Sequence, residues 1–287
     1  MTKKESYVHY IPERIVNPDE SVEIALVGAG GTGSALLSGL ARINYSLLAL
    51  GHEGLLVYVF DGDNVSEANV GRQLFSMADV GLNKAVVQVT RINNFFGFNW
   101  RAYPSMFMPK TIEKARNTQI VISAVDNAKA RAQIKHSIKG RTLYYLDCGN
   151  TVNTGQVVLG TASEIRQPKL KGVKTVGHLP DVIDLYPEME VSDKESIQGP
   201  SCSLAESLRR QDLFINQQVA TAALRLLWKM FRKGKIAEHG CFINLESPTP
   251  ERMLPINPEM WRRMTEDKTR RQAVFHGILG EAQPEFL

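Results

Sequence analysis

The chain has only three cysteines in 287 residues, Cys148, Cys202 and Cys241, and no two of them form a CxxC pair. That spacing supplies neither a disulfide framework nor a zinc clip, so no zinc is expected and a reducing compartment is implied. No apolar run reaches the roughly 18 residues that a membrane helix requires. The opening MTKKESYVHYIPERIV contains no apolar h-region of a secretory signal. No membrane partner and a cytoplasmic location are therefore the expectations. Strong charge is lacking too: 34 basic residues face 30 acidic ones, a net +4. So slight an excess does not argue for nucleic acid, whose binders concentrate basic residues on one face. Neither G-x-S-x-G nor H-E-x-x-H occurs, which removes the common signatures of serine and metallo-hydrolases. The six histidines (His9, His52, His136, His178, His239, His276) show no ligand spacing and read as structural or surface groups. No internal repeat or low-complexity tract is present.

What remains is the composition of an ordinary globular protein, 43% hydrophobic and 22% charged, long enough for one large domain with a substantial core. Short apolar runs at 22–28, 55–60, 118–126 and 142–149 alternate with helical patterns at 32–43, 80–96 and 127–140. A further strand is expected near 100–103 and another at 156–160. Buried strands alternating with helices predict an α/β, Rossmann-like fold: a mostly parallel sheet with helices on both faces. The rhythm fails over 161–200, where prolines, glycines and charges predict a long crossover loop. A helical pattern then runs from 202 to Gly234, a stop glycine behind a basic last turn. The runs CFINLES and ERMLPI read as a hairpin or a pair of edge strands, an antiparallel C-terminal extension of the sheet. From Asn257 a basic helix is expected, presenting a solvated face. The organisation that follows is a nucleotide-binding half (1–160), a crossover (161–201) and a C-terminal half (202–287) within one continuous domain.

The segment VGAGGTGS holds Gly28, Gly30 and Gly33 in G-x-G-x-x-G spacing, with Gly31 between them, where a strand gives way to a helix. Such glycines permit a tight turn and let backbone N–H groups approach a phosphate at the helix N-terminus. NAD, FAD and ATP users share the pattern. In a dinucleotide enzyme the ribose acid falls roughly 20 residues beyond the loop. Here Asp61 lies 28 residues past Gly33.

Asp61 closes the second strand, and DGDNVSEANVGRQLF then crowds Asp63, Asn69, Arg72 and Gln73 into a dozen residues, with Lys84 further on. A triphosphate would use all of them. Asp61 would accept from ribose hydroxyls, Arg72 would offer a planar fork, and Lys84 a point charge. Asp126 ends another strand, where open parallel sheets place their ligands, and a carboxylate there suits Mg²⁺ shared with phosphates. Each residue also has an ordinary reading: Asp63 or Asn69 as turn residues, Arg72 in a surface ion pair, Asp126 as a helix N-cap.

Together VGAGGTGS, VFDGDNVSEANVGRQLF, DVGLNKA and SAVDN resemble the ThiF/MoeB/ubiquitin-activating family over roughly residues 22–160. PSCSLAESLRRQDLFIN is similar to a narrower bacterial group, the ThiF-family proteins of PRTRC gene systems. The resemblance implies ATP-dependent adenylation of the C-terminal carboxylate of a small ubiquitin-like protein, by a homodimer. It implies that Asp61 binds ribose, that Asn69, Arg72, Gln73 and Lys84 bind the phosphates, and that Asp126 coordinates magnesium. The chain departs from the family in three places. It lacks the paired CxxC zinc motifs. Arg14 in IPERIV stands far from the usual place of an N-terminal arginine that reaches the partner subunit. Val70 replaces the leucine of N-L-x-R-Q.

Some members of the family pass the acyl group to a cysteine. Cys202 is the candidate, since it follows Gly-Pro and opens a helix pattern whose N-terminus favours thiolate. Its other reading is a buried or capping cysteine. Cys148 and Cys241 sit in strand patterns and read as core. Two further classes stay open: an NAD(P)-dependent oxidoreductase, which leaves the Asn69–Arg72–Gln73–Lys84 cluster unexplained, and a non-catalytic module that docks a ubiquitin-like protein.

Overall fold

Strand β1 (Tyr7–Tyr10) and a single helical turn α1 (Glu13–Val16) precede β2 (Val22–Val27), five of whose six side chains are buried. The structure, a computed structural model, describes residues 7–108, 117–138, 142–187 and 211–266. After β2 come α2 (Gly31–Ala49), β3 (Leu55–Phe60), α3 (Lys84–Phe96), β4 (Arg101–Tyr103) and β5 (Ile120–Ser123). The first half closes with α4 (Ala128–Ile138), β6 (Tyr144–Asn150) and β7 (Thr154–Thr161). Then follow β8 (Lys174–Thr175), α5 (Val182–Leu185), α6 (Ile215–Lys233) and β9 (Lys235–Ile236). The described chain ends with β10 (Glu238–Asn244), β11 (Glu251–Pro255) and α7 (Pro258–Glu266).

The main sheet has the order β11-β10-β7-β6-β5-β2-β3-β4. Strands β6, β5, β2, β3 and β4 run parallel, and β7, β10 and β11 extend the sheet antiparallel. This is the mixed architecture that the sequence predicts. Gly155 and Gly160 of β7 are an odd number of residues apart and so face opposite sides of the sheet. A Cβ on Gly155 would strike Val219 of α6, and one on Gly160 would strike Asp181, the N-cap of α5. Helices therefore lie on both faces. A small sheet, β8-β1-β9, joins the first described strand to the end of α6. Most buried apolar side chains between Ile11 and Met264 make one continuous core, while Val65, Phe75 and Val87 form a small separate cluster.

Four local expectations change. The helix expected at 80–96 begins at Lys84, because Gly81 takes a positive φ of 90° and Asn83 caps α3 by accepting from the Val86 N–H at 3.1 Å. The helix expected from 202 is described only from Ile215, and residues 202–210 lie outside the described residues. Just before it, the Asp212 N–H donates to the Val152 carbonyl (2.7 Å) and its carboxylate accepts from the Phe214 N–H (2.8 Å), which holds a turn. The apolar spacing runs on through that turn, so periodicity alone does not reveal it. The crossover carries structure up to Pro187: Leu179, Val182, Ile183, Leu185 and Tyr186 are buried, and Lys135 pairs with both Asp181 and Asp184.

The C-terminal helix is more than a solvated face, since Trp261 and Met264 of α7 are buried. It is pinned by His239, whose Nδ1–H donates to the Leu159 carbonyl (2.9 Å) while Nε2 accepts from the Trp261 indole (2.9 Å). Burial holds His239 neutral and brings its pKa down to about 4.

Candidate functional site

Strand β2 pairs with β3 on one side and β5 on the other, so the chain leaves it in one direction and later returns in the opposite one. Open α/β sheets bind ligands at such a switch point, outside the carboxyl ends of the strands. The glycine turn lies there. Gly28 has a φ of 94°, and a Cβ on it would stand 2.6 Å from the Ala124 carbonyl oxygen. A Cβ on Gly33 would stand 2.0 Å from the Gly28 carbonyl oxygen. Both positions are closed by backbone. Gly30 differs: the nearest atom to a Cβ there is Gln73 Oε1 at 3.8 Å. Gly30 is also the N-cap of α2 and brings no side chain to cap the first-turn N–H groups.

Asp61 reaches this turn from the end of β3. Its Oδ2 accepts from the Ala29 N–H (2.6 Å) and its Oδ1 from the Asp63 N–H (2.8 Å). Burial raises its pKa above the usual carboxylate value, and the two N–H donors and Lys84 oppose that shift. Each oxygen retains a lone pair for a further donor. Lys84, the first residue of α3, pairs with exposed Asp63 at 3.1 Å. Asp63 thus serves Lys84, and Lys84 stands near Asp61. Asn83 braces the same corner by donating to the Asp61 and Asp63 carbonyls (2.9 and 3.0 Å).

Asn69 is engaged locally: its Oδ1 accepts from the Ser66 N–H (2.9 Å) in a capping box. Its backbone carbonyl accepts from the Gln73 N–H (2.9 Å), turning Arg72 and Gln73 back toward the glycine loop. Gln73 is buried, and its Oε1 has no hydrogen-bond partner among the described residues. Arg72 donates through Nη1 to Gln211 Oε1, whereas its buried Nε has no partner among the described residues. Burial lowers the Arg72 pKa from its ordinary value.

Asp126 follows β5 at the exposed rim, and its Oδ1 accepts from Asn127 (3.1 Å). Its loop is steadied from beneath. Arg131 Nη2 donates to the Val125 carbonyl (2.7 Å) while Arg131 Nε donates to buried Asp147 (2.9 Å). Gln156 completes that buried group by donating to Asp147 Oδ2 (3.2 Å). Cys148 and Cys241 are buried, with thiol pKa values pushed up, in the second case to about 12. Cys202 lies outside the described residues. Arg14 sits exposed on α1.

Sequence reasoning misses a second ring of polar residues. Asn216, in the first turn of α6, accepts from Thr32 Oγ1 (3.0 Å) and donates to Gln211 Oε1 (3.3 Å). The same Thr32 hydroxyl lies 3.1 Å from Asn150 Oδ1. The Asn216 amide rests on the first turn of α2, 2.6 Å from where a Gly31 Cβ would be.

A nucleotide fits these residues: an uncapped helix start, open space at Gly30, two cationic side chains, and buried polar atoms of Arg72 and Gln73 without partners. A dedicated metal cage is a different matter, since no group of three or more His, Cys, Asp or Glu suited to a metal occurs among the described residues. A single carboxylate such as Asp126 fits Mg²⁺, which takes one or two carboxylates and completes its shell with phosphates and water. No helix among the described residues is long and apolar enough to cross a membrane.

Fold and site define an α/β protein with a glycine-rich turn at a switch point. The ThiF family model matches residues 14–253, and the chain belongs to the ThiF family. It is 26% identical over 144 residues to Ubiquitin-like modifier-activating enzyme 5 of Drosophila mojavensis, covering 45% of this chain and 34% of that protein. It is 25% identical over 194 residues to the NEDD8-activating enzyme E1 catalytic subunit of Caenorhabditis elegans, covering 66% of this chain and 41% of that protein. The chain thus spans well under half the length of these relatives. Among solved structures, SeMet PaaA superimposes with a TM-score of 0.55 at 15% identity, covering 82% of this chain and 64% of that one. That likeness is one of fold.

Proposed function

We propose that the protein uses ATP to adenylate the C-terminal carboxylate of a small ubiquitin-like protein and then holds the acyl group on Cys202 as a thioester. The observation that carries the reading is the pair of buried, partnerless polar atoms, Gln73 Oε1 and Arg72 Nε, beside the uncapped start of α2. Rotation of the Gln73 amide exchanges oxygen for NH₂, so this position can donate to a phosphate oxygen. Asp61 accepts from the ribose hydroxyls. The α2 N-terminus, Asn69, Arg72, Gln73 and Lys84 face the phosphates. Asp126 holds Mg²⁺, which supplies charge neutralisation and orientation of the triphosphate.

In the reaction a carboxylate oxygen attacks the α-phosphorus, and the bond to pyrophosphate breaks as pyrophosphate leaves with the electron pair. No protein nucleophile is needed, so catalysis rests on positioning and on neutralising charge. The Cys202 thiolate, its proton lost to solvent, then attacks the acyl carbon and AMP departs. We place the protein in the cytoplasm as a homodimer. Residues 1–160 form the nucleotide half, 161–201 the crossover and 202–287 the C-terminal half of one adenylation domain.

Thermal stabilisation by Mg-ATP, NADH and NADPH, on wild type and Lys84→Ala, tests the nucleotide reading. A ligand that binds only the folded state adds about 2.7 kcal/mol at a hundred times its Kd. A shift with Mg-ATP that Lys84→Ala abolishes is expected; a shift with NADH or NADPH alone overturns the reading in favour of an oxidoreductase. Pyrophosphate exchange with purified ubiquitin-like proteins, and with forms lacking the C-terminal residue, tests the adenylation. Cys202→Ser is expected to retain exchange and to lose the thiol-sensitive conjugate.

A further inference from the structure

Gln211 is buried and nearly saturated. Its Oε1 accepts from Arg72 Nη1 and from Asn216 Nδ2 (3.3 Å), and its Nε2 donates to the Thr151 carbonyl (3.3 Å). Asn216 in turn rests on Gly31 and accepts from Thr32 Oγ1, at the first turn of α2. A single hydrogen-bonded chain therefore runs from the guanidinium of Arg72 through Gln211 and Asn216 to Thr32 in the first turn of α2. The remaining Arg72 donors are not consumed by this arrangement, and Nε has no partner among the described residues. An isolated Arg side chain would have to be ordered when a nucleotide binds, which costs affinity because a rotamer-rich side chain is immobilised.

The geometry points to Gln211 as the positioning residue for Arg72: it fixes the guanidinium before the nucleotide arrives and ties it, through Asn216, to the α2 N-terminus. The inference rests on the nucleotide reading above and deepens it. A neutral amide suits the task. A carboxylate at this position would hold the guanidinium just as firmly, but would cancel the charge that the phosphates need.

Mg-ATP dissociation constants measured by calorimetry on wild type, Gln211→Ala, Arg72→Ala and the double variant form a thermodynamic cycle. Gln211→Ala is expected to weaken binding about tenfold, which is about 1.4 kcal/mol. In the Arg72→Ala background the same change is expected to shift the constant less than twofold. A similar loss in both backgrounds overturns the proposal, because Gln211 would then act on something other than Arg72. Hydrogen exchange at the Arg72 Nε–H, read by NMR without nucleotide, is expected to accelerate in Gln211→Ala; unchanged exchange overturns positioning while leaving the nucleotide reading intact. Wild type that binds no Mg-ATP overturns that reading, and the purpose assigned to Gln211 falls with it.

Discussion

Gly30→Ala and Gly33→Ala look equivalent in the motif, yet the structure separates them. A Cβ on Gly33 would lie 2.0 Å from the Gly28 carbonyl oxygen and 2.7 Å from its carbon. Both atoms are backbone in the turn itself, so helix α2 must move away from β2 by more than an ångström. Overpacking costs about 1–3 kcal/mol, and a backbone neighbour puts this site at the upper end, about 3 kcal/mol. For a domain of this size that lowers Tm by roughly 6–12 °C. A Cβ on Gly30 meets nothing nearer than the Gln73 amide, at 3.8 and 4.0 Å. Its Tm without ligand is expected to stay within about 3 °C of wild type. Its cost falls on the ligand, because the methyl group fills the space through which a phosphate approaches the backbone. Scanning fluorimetry with and without Mg-ATP reads both effects: Gly33→Ala melts low, and Gly30→Ala melts normally but loses the Mg-ATP shift. A Gly33→Ala protein with wild-type Tm would refute the packing argument. A Gly30→Ala protein with the full Mg-ATP shift would refute the assignment of that space to phosphate.

Removing one member of the buried Arg131–Asp147 pair, by Asp147→Ala, is expected to cost about 3–5 kcal/mol in urea unfolding, whereas replacing both by Met and Leu costs far less. His239 is held neutral in the fold, with its pKa lowered from 6.5 to about 4. Its contribution is therefore complete above pH 6.5 and is lost as pH falls toward 4, about 3 kcal/mol in all. His9, lowered in the same direction by burial, adds to the fall, so His239→Leu is expected to flatten the stability profile between pH 6.5 and 4 without abolishing the slope. Native protein at pH 7 is expected to leave Cys148 and Cys241 unmodified by iodoacetamide, since both are buried and their thiols are pushed toward the protonated form; mass spectrometry of the labelled peptides checks this.

The sheet was legible because buried parallel strands leave continuous apolar runs, and the antiparallel extension because β10 and β11 flank a Pro-rich turn. The glycine turn, Asp61 and Lys84 were legible for a related reason: each lies at an element end, where local sequence sets geometry. The partners of Arg72 and Thr32 were not. Arg72 meets Gln211 across 139 residues and Thr32 meets Asn216 across 184, and no local pattern encodes such pairings. The start of α6 was obscured because Leu213 and Phe214 continue the apolar spacing while Asp212 turns the chain. Asn69 shows the opposite case: its ordinary reading as a turn residue holds for its Oδ1, which closes the Ser66 capping box.

The small sheet has a consequence for synthesis. It pairs His9 and Tyr10 with Ile236 and Lys235, strands roughly 230 residues apart in the chain. Ribosomes add about 5–20 residues per second, so β1 waits roughly 10–45 s before β9 exists. Helix α2 waits almost as long for α6, whose Leu224 lies against Gly39. During that interval the apolar face of α2 is open to other chains. The glycine turn is thus complete long before Asn216, which packs against Gly31, is translated.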